Sequence, residues 1–144
     1  MTPTFAPNSI LMVDDNPDDF YGVRRCLQKA GLSNPLLGCE DGSQAMAWLS
    51  AEGRGLPMLV LMDINMPGVK GTEVLAWMRG REATARLPVI MLTSSDDDRD
   101  VLAAFNSEAN GYLHKPLDFD KLIAALQRVR SHRLELVLSP REPG

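Results

Sequence analysis

Short solid blocks of apolar residues alternate along this chain with longer stripes in which apolar residues recur every third or fourth position. Ile10-Leu11-Met12-Val13 is the first block and ends abruptly in Asp14-Asp15. Pro17 suits the first turn of a helix, and Phe20, Val23, Leu27 and Ala30 then share one face up to Gly31, a plausible stop. Leu36-Leu37-Gly38-Cys39 predicts a weaker strand, and 43–52 a helix carrying Ala45, Trp48 and Leu49. The strongest strand is Met58-Leu59-Val60-Leu61-Met62, ending in Asp63. Residues 71–79 predict a helix with Val74, Leu75 and Met78 inward, followed by a strand Pro88-Val89-Ile90-Met91-Leu92 that ends in Thr93-Ser94-Ser95. A fourth helix is expected over 98–109 with Val101 and Phe105 inward, then a short strand Gly111-Tyr112-Leu113-His114 before Lys115-Pro116. Residues 117–130 close the set, with Leu122, Ile123, Leu126 and Val129 facing the core. Solid strands alternating with amphipathic helices imply βαβ units and a parallel sheet covered on both faces.

The composition narrows the class. The chain has 144 residues, 44% hydrophobic and 24% charged, a one-domain length that needs no disulfide or structural metal to fold. Lys+Arg 15 against Asp+Glu 19 gives a net charge of -4, which lacks the basic footprint of a nucleic-acid binder. The two cysteines, Cys26 and Cys39, form no CxxC pair, and His114 and His132 stand too far off to complete a zinc site. They read as small buried hydrophobes. No secretory signal opens the chain, and the longest apolar stretch, 58–62, cannot span a membrane, so a cytoplasmic location without membrane contact is expected.

In an open parallel sheet, ligands bind beyond the carboxyl ends of the strands. The polar residues there are Asp14 and Asp15, Asp63, Thr93 and Lys115. Three converging carboxylates repel one another unless a cation sits among them, and an all-oxygen set favours Mg²⁺. A hydroxyl and an ammonium on neighbouring strands supply what a bound phosphoryl group needs. A carboxylate can itself accept that group, and Asp63, on the central strand, is the candidate.

These residues resemble the receiver domain of two-component response regulators, from about Ile10 to Arg130. Val13-Asp14-Asp15-Asn16 looks like the family's acidic pair, and Asp63-Ile64-Asn65-Met66-Pro67 with Gly71 like its phospho-acceptor loop. Leu92-Thr93-Ser94 resembles the switch strand, and Lys115-Pro116 the pair whose peptide bond is cis. The resemblance implies an α/β fold: a flavodoxin-like (βα)5 doubly wound parallel five-stranded sheet. It implies that Asp63 is phosphorylated with Mg²⁺ held by Asp14, Asp15, Asp63 and the Asn65 main-chain carbonyl, Mn²⁺ or Ca²⁺ substituting in vitro. Thr93 and Lys115 would contact the phosphoryl group, Tyr112 would turn inward as Thr93 moves, and Asn65 and Ser95 would tune the lifetime. Other readings of single residues stay open. Asp14 and Thr93 can cap the helices that follow them, and Tyr112 can be a half-buried strand aromatic. Asp96-Asp97-Asp98 with Asp100 reads as a solvated helix start.

The apolar ending Leu134-Glu135-Leu136-Val137-Leu138-Ser139-Pro140, with Asn16-Pro17 and Lys70-Gly71, is similar to the stand-alone response regulators that serve phytochrome-type histidine kinases. His132 and Arg133 stand where that subfamily has an aromatic pair, and Ser139 replaces a leucine. The implied partners are a sensor histidine kinase of the bacterial phytochrome type and a second copy of the chain. The dimer would use the face of the 98–109 helix and fifth strand, together with the tail, which can alternatively fold back on its own domain. The expected organisation is a flexible N-terminus (1–9), a receiver domain (10–131) and a C-terminal tail (132–144). No turnover of a separate substrate is expected. A haloacid-dehalogenase-like phosphatase is the rival, but that family wants a second Asp where Asn65 stands, and a cap domain. A nucleotide-binding module lacks any GxGxxG or Walker loop, and a phosphorelay intermediate with no output of its own remains a variant of the main reading.

Overall fold

The computed structural model describes residues 2–94 and 108–129. Five strands, β1 (Ile10–Val13), β2 (Leu36–Cys39), β3 (Leu59–Asp63), β4 (Val89–Thr93) and β5 (Gly111–His114), form one parallel sheet in the order β2-β1-β3-β4-β5. This is the doubly wound, flavodoxin-like order, with its reversal between β1 and β3. Four helices accompany it among the described residues: α1 (Pro17–Lys29), α2 (Gly42–Ser50), α3 (Gly71–Arg79) and α4 (Phe119–Val129). The helix expected over 98–109, the Asp96–Asp98 and Asp100 group, Ser95 and the 132–144 tail lie outside the described residues.

Side chains alternate across the sheet with the period of two that strands impose. Leu11, Val13, Val60, Met62, Val89 and Met91 face α2 and α3, meeting Ala45, Leu49, Val74, Leu75 and Met78. Ile10, Met12, Leu59, Leu61, Ile90 and Leu92 face α1 and α4, meeting Val23, Leu27, Leu122, Leu126 and Val129. Because both faces are covered, β1, β3 and β4 are buried along their whole length, which is why they read as solid apolar blocks. Gly38 on the β2 edge leaves room for the Phe20 ring of α1, which a Cβ would meet at 2.9 Å.

Element ends differ from expectation where a cap decides. Asn16, not Asp14, caps α1: its side chain accepts from the Asp18 amide at 2.9 Å. The closing helix starts at Phe119 because Asp118 caps it, accepting from the Lys121 amide at 3.1 Å. Asp41 caps α2 through the Gln44 amide at 2.7 Å, and Ala51 turns extended after Ser50. The leading segment makes contacts with the body at Phe5. Phe5 is buried edge-on to Trp48, and its amide donates to the Arg54 carbonyl at 2.7 Å. A lone aromatic followed by Ala-Pro carries no periodicity, so sequence pattern gives it no element to belong to. Both cysteines are free, Cys39 buried and Cys26 half-buried. Burial, aided by the Asp41 charge, pushes the Cys39 thiol up to about 12, which keeps it an inert thiol.

Candidate functional site

Parallel register carries the polar residues to one edge. Val13 pairs with Met62, so Asp14 follows directly beside Asp63, while Asp63 itself pairs with Leu92. Thr93 pairs with His114, and the Lys115 amide then donates to the Thr93 carbonyl at 2.6 Å. The Lys115–Pro116 peptide bond is cis. Asp14, Asp63 and Thr93 are buried, whereas Asp15 is exposed.

The carboxylates are held by the backbone that follows them. An Asp14 oxygen accepts from the Asn16 amide at 2.9 Å, and an Asp63 oxygen accepts from the Asn65 amide at 3.1 Å. Both are side-chain turns that mimic a backbone turn and fix the carboxylate relative to its strand. Gly71 closes the loop after Asp63: its amide donates to the Ile64 carbonyl at 3.1 Å, and a Cβ there would overlap the Asp63 carbonyl oxygen.

Lys115 joins the set. Its Nζ lies 2.7 Å from Asp14 Oδ2, 3.2 Å from Asp63 Oδ2 and 2.7 Å from Asp19 Oδ2. Asp19 was not singled out by sequence reasoning, because an acid in the first turn of a helix reads as a dipole partner. The one available signal was its spacing, one helical turn beyond Asp15. Of the other expected residues, Tyr112 is 61% exposed on β5 rather than half-buried, and Asn65 is exposed on the loop after Asp63.

Electrostatics follow from burial. Desolvation raises Asp63, the Lys115 charge opposes it and the Asp14 charge adds to it, leaving the carboxyl at about 6. Asp14 is raised too, chiefly by burial, against the Lys115 and Asn16 hydrogen bonds. Burial works to lower Lys115, but its hydrogen bonds to Asp14 and Asp19 and the Asp63 charge outweigh that and hold it above its ordinary value. The protein therefore holds more carboxylate than ammonium at a poorly solvated edge. One oxygen each from Asp14, Asp15 and Asp63 lies within 4.8 Å of the others. That donor set is all hard oxygen, and it fits a divalent cation of the Mg²⁺ type.

Comparison with known proteins agrees with this geometry. Residues 10–127 match the response regulator receiver domain family. Response regulator Rcp1 of Synechocystis sp. is 34% identical over 138 residues, covering 93% of this chain and 94% of Rcp1. The bacteriophytochrome response regulator RtBRR superposes with a TM-score of 0.80 at 30% identity, covering 96% of this chain and 85% of that one. The Mn²⁺-bound form of Rcp1 superposes with a TM-score of 0.72 at 34% identity, covering 94% and 100%. Among the described residues no helix is long and apolar enough to cross a membrane. With the acidic pair, Asp63, Thr93 and Lys115 together at the carboxyl edge of a β2-β1-β3-β4-β5 sheet, this chain belongs to the response regulator receiver domain family.

Proposed function

We propose that this receiver is a phosphorylation switch that takes a phosphoryl group from the phosphohistidine of a sensor histidine kinase onto Asp63. The observation that carries the reading is the Lys115 ammonium set between the Asp14 and Asp63 carboxylates, 2.7 and 3.2 Å away, on the edge where Asp15 also gathers. In the step, an Asp63 carboxylate oxygen forms the new P–O bond. The P–N bond of the donor breaks, and the imidazole nitrogen leaves with the electron pair. Asp14, Asp15, Asp63 and the Asn65 main-chain carbonyl would hold Mg²⁺, or Mn²⁺ or Ca²⁺ in its place. When bound, such a cation neutralises charge on the transferring oxygens. Lys115 offers an ammonium to the same group, and the Thr93 hydroxyl donates to a phosphoryl oxygen. Water attack on the acyl phosphate ends the signal, with Asn65 and Ser95 setting its lifetime.

The added charge biases a two-state element. Thr93 moves toward the phosphoryl group and Tyr112, now exposed, turns inward. The face of the 98–109 helix and β5 changes with them and is read by a protein partner. Similarity to the bacteriophytochrome response regulator RtBRR supports a kinase of the phytochrome type, and the switch would work in the cytoplasm. Residues 10–131 act as the receiver and 132–144 as a tail that joins β5 in a homodimer. Supporting this, β5 is the last strand of the sheet, so it lies at the edge where a second chain can approach.

Incubation with acetyl phosphate and Mg²⁺ tests the core of the reading. Wild type should gain one phosphoryl group by mass spectrometry and Asp63→Asn none. A wild-type chain labelled by neither acetyl phosphate nor any histidine kinase overturns it. Light scattering of wild type against a chain truncated after Ser131 tests the dimer, which should be lost with the tail.

A further inference from the structure

The Lys115 ammonium has three N–H donors, and three carboxylates lie within reach: Asp14 and Asp19 at 2.7 Å and Asp63 at 3.2 Å. Two of those three are claimed twice. Asp14 and Asp63 also belong to the only oxygen cluster among the described residues suited to a cation, and Asp19 does not. An ammonium and a divalent cation compete for the same lone pairs and repel each other, so one must yield where only those two carboxylates exist. Asp19 removes that conflict. It sits on the first turn of α1, where its amide donates to the Asn16 carbonyl at 3.2 Å. Its carboxylate reaches Lys115 from the side of the groove that Leu117 and Phe119 also line.

We infer that Asp19 is a positioning residue: it parks the Lys115 ammonium and so leaves the Asp14 and Asp63 oxygens to the cation. The inference rests on the phosphorylation-switch reading above, in which that cation and Lys115 act together. It deepens that reading by giving the site a fourth carboxylate with a separate task. With Asp19 replaced by Asn, Lys115 keeps, among the described residues, only the Asp14 and Asp63 carboxylates and holds them more tightly. Cation affinity then falls by more than the loss of one distant charge accounts for.

A double-mutant cycle on the full chain reads this directly, with Mg²⁺ binding measured by calorimetry in about 0.5 M KCl to screen long-range charge. Asp19→Asn should weaken Mg²⁺ binding about tenfold, whereas in a Lys115→Met background the same change should cost about twofold or less. Asp19→Glu, which can still reach the ammonium, should restore most of the affinity. Thermal melting without metal confirms that each variant is folded. An Asp19→Asn protein that binds Mg²⁺ as tightly as wild type overturns the inference. So does an equal loss with and without Lys115, which reduces Asp19 to a bystander charge. Neither result touches the phosphorylation reading, which fails separately if the wild-type chain neither binds Mg²⁺ nor is labelled at Asp63.

Discussion

Asp63 holds a proton further up the pH scale than an ordinary aspartate, at about 6 against 3.8, because its desolvated carboxylate gains too little from Lys115 to offset burial beside Asp14. Between those values the folded metal-free chain binds more protons than the unfolded chain. Stability contributed by Asp63 is therefore greatest at low pH and falls as pH rises from about 4 to about 6, by up to ~3 kcal/mol. Raised Asp14 adds to the same slope. Thermal melts across this window should show wild type losing stability relative to Asp63→Asn, which lacks the titrating group. Mg²⁺ binds the ionised form, so its stabilisation should grow from pH 5 to pH 8. Parallel curves for the two proteins, with and without Mg²⁺, would contradict this account of the site. Gly71 is a second single-residue constraint. A Cβ there collides with the backbone of Asp63, which has no room to give, so Gly71→Ala should cost at least about 2 kcal/mol in urea unfolding. The same change should slow labelling, since it moves the acceptor itself.

At the scale of elements, Arg79 at the end of α3 does more than its place in an amphipathic pattern suggests. Its Nε donates to the Glu108 carbonyl at 2.7 Å, and its Nη1 donates to Leu87 O at 2.7 Å and Thr84 O at 3.3 Å. Its Nη2 donates to Asn110 Oδ1 at 3.2 Å. The same Asn110 oxygen accepts from the Val89 amide at 2.9 Å, so one guanidinium ties α3, the start of β4 and the turn into β5. Arg79→Met keeps the stem and removes the donors, stranding carbonyls at a half-buried joint. It should destabilise the protein by about 3 kcal/mol in denaturant titration, with Lys giving only partial rescue because it lacks the planar fork. A loss under ~0.5 kcal/mol would mean that water replaces the guanidinium freely. The strands and the α1 and α3 faces were legible beforehand because two-sided burial writes itself as solid apolar runs, and one-sided burial as a 3.6-residue stripe. Asp14, Asp15, Asp63, Thr93 and Lys115 were legible for a related reason: each stands at, or within two residues of, the carboxyl end of a strand. Asp19 and Arg79 were not, because both residue types are ordinary on a helix surface and their partners, backbone carbonyls or a distant lysine, leave no pattern in the sequence. Phe5 was illegible for want of any period at all.

Taken whole, the molecule has two unlike ends. At the carboxyl edge of the sheet, charge is concentrated and held in surplus. At the amino edge, backbone groups are cross-tied by Arg79, Asn110 and Thr84, whose buried hydroxyl donates to the Met78 carbonyl at 2.7 Å. The leading segment adds to the body: Phe5 packs on Trp48, and Arg54 reaches the Thr4 hydroxyl at 3.3 Å. Phe5→Ala should therefore cost about 3 kcal/mol, near the value for a core aromatic and far above that for a free tail. Phosphoryl acceptance should be unchanged, since Phe5 stands away from the acidic edge. A neutral result in a chemical melt would return the segment to the status of a loose lead-in.

The two ends of β4 are tied unequally. At Val89 a side-chain clamp through Asn110 and Arg79 adds to the sheet ladder, whereas Thr93, buried at the charged edge, is tied to β5 by the Lys115 amide. A small pull at Thr93 is therefore taken up near that end rather than at the clamp. Hydrogen exchange should display this as a gradient along a single strand. The Val89 amide should open only with the whole molecule, and the amides of Thr93 and Lys115 in smaller, cheaper excursions.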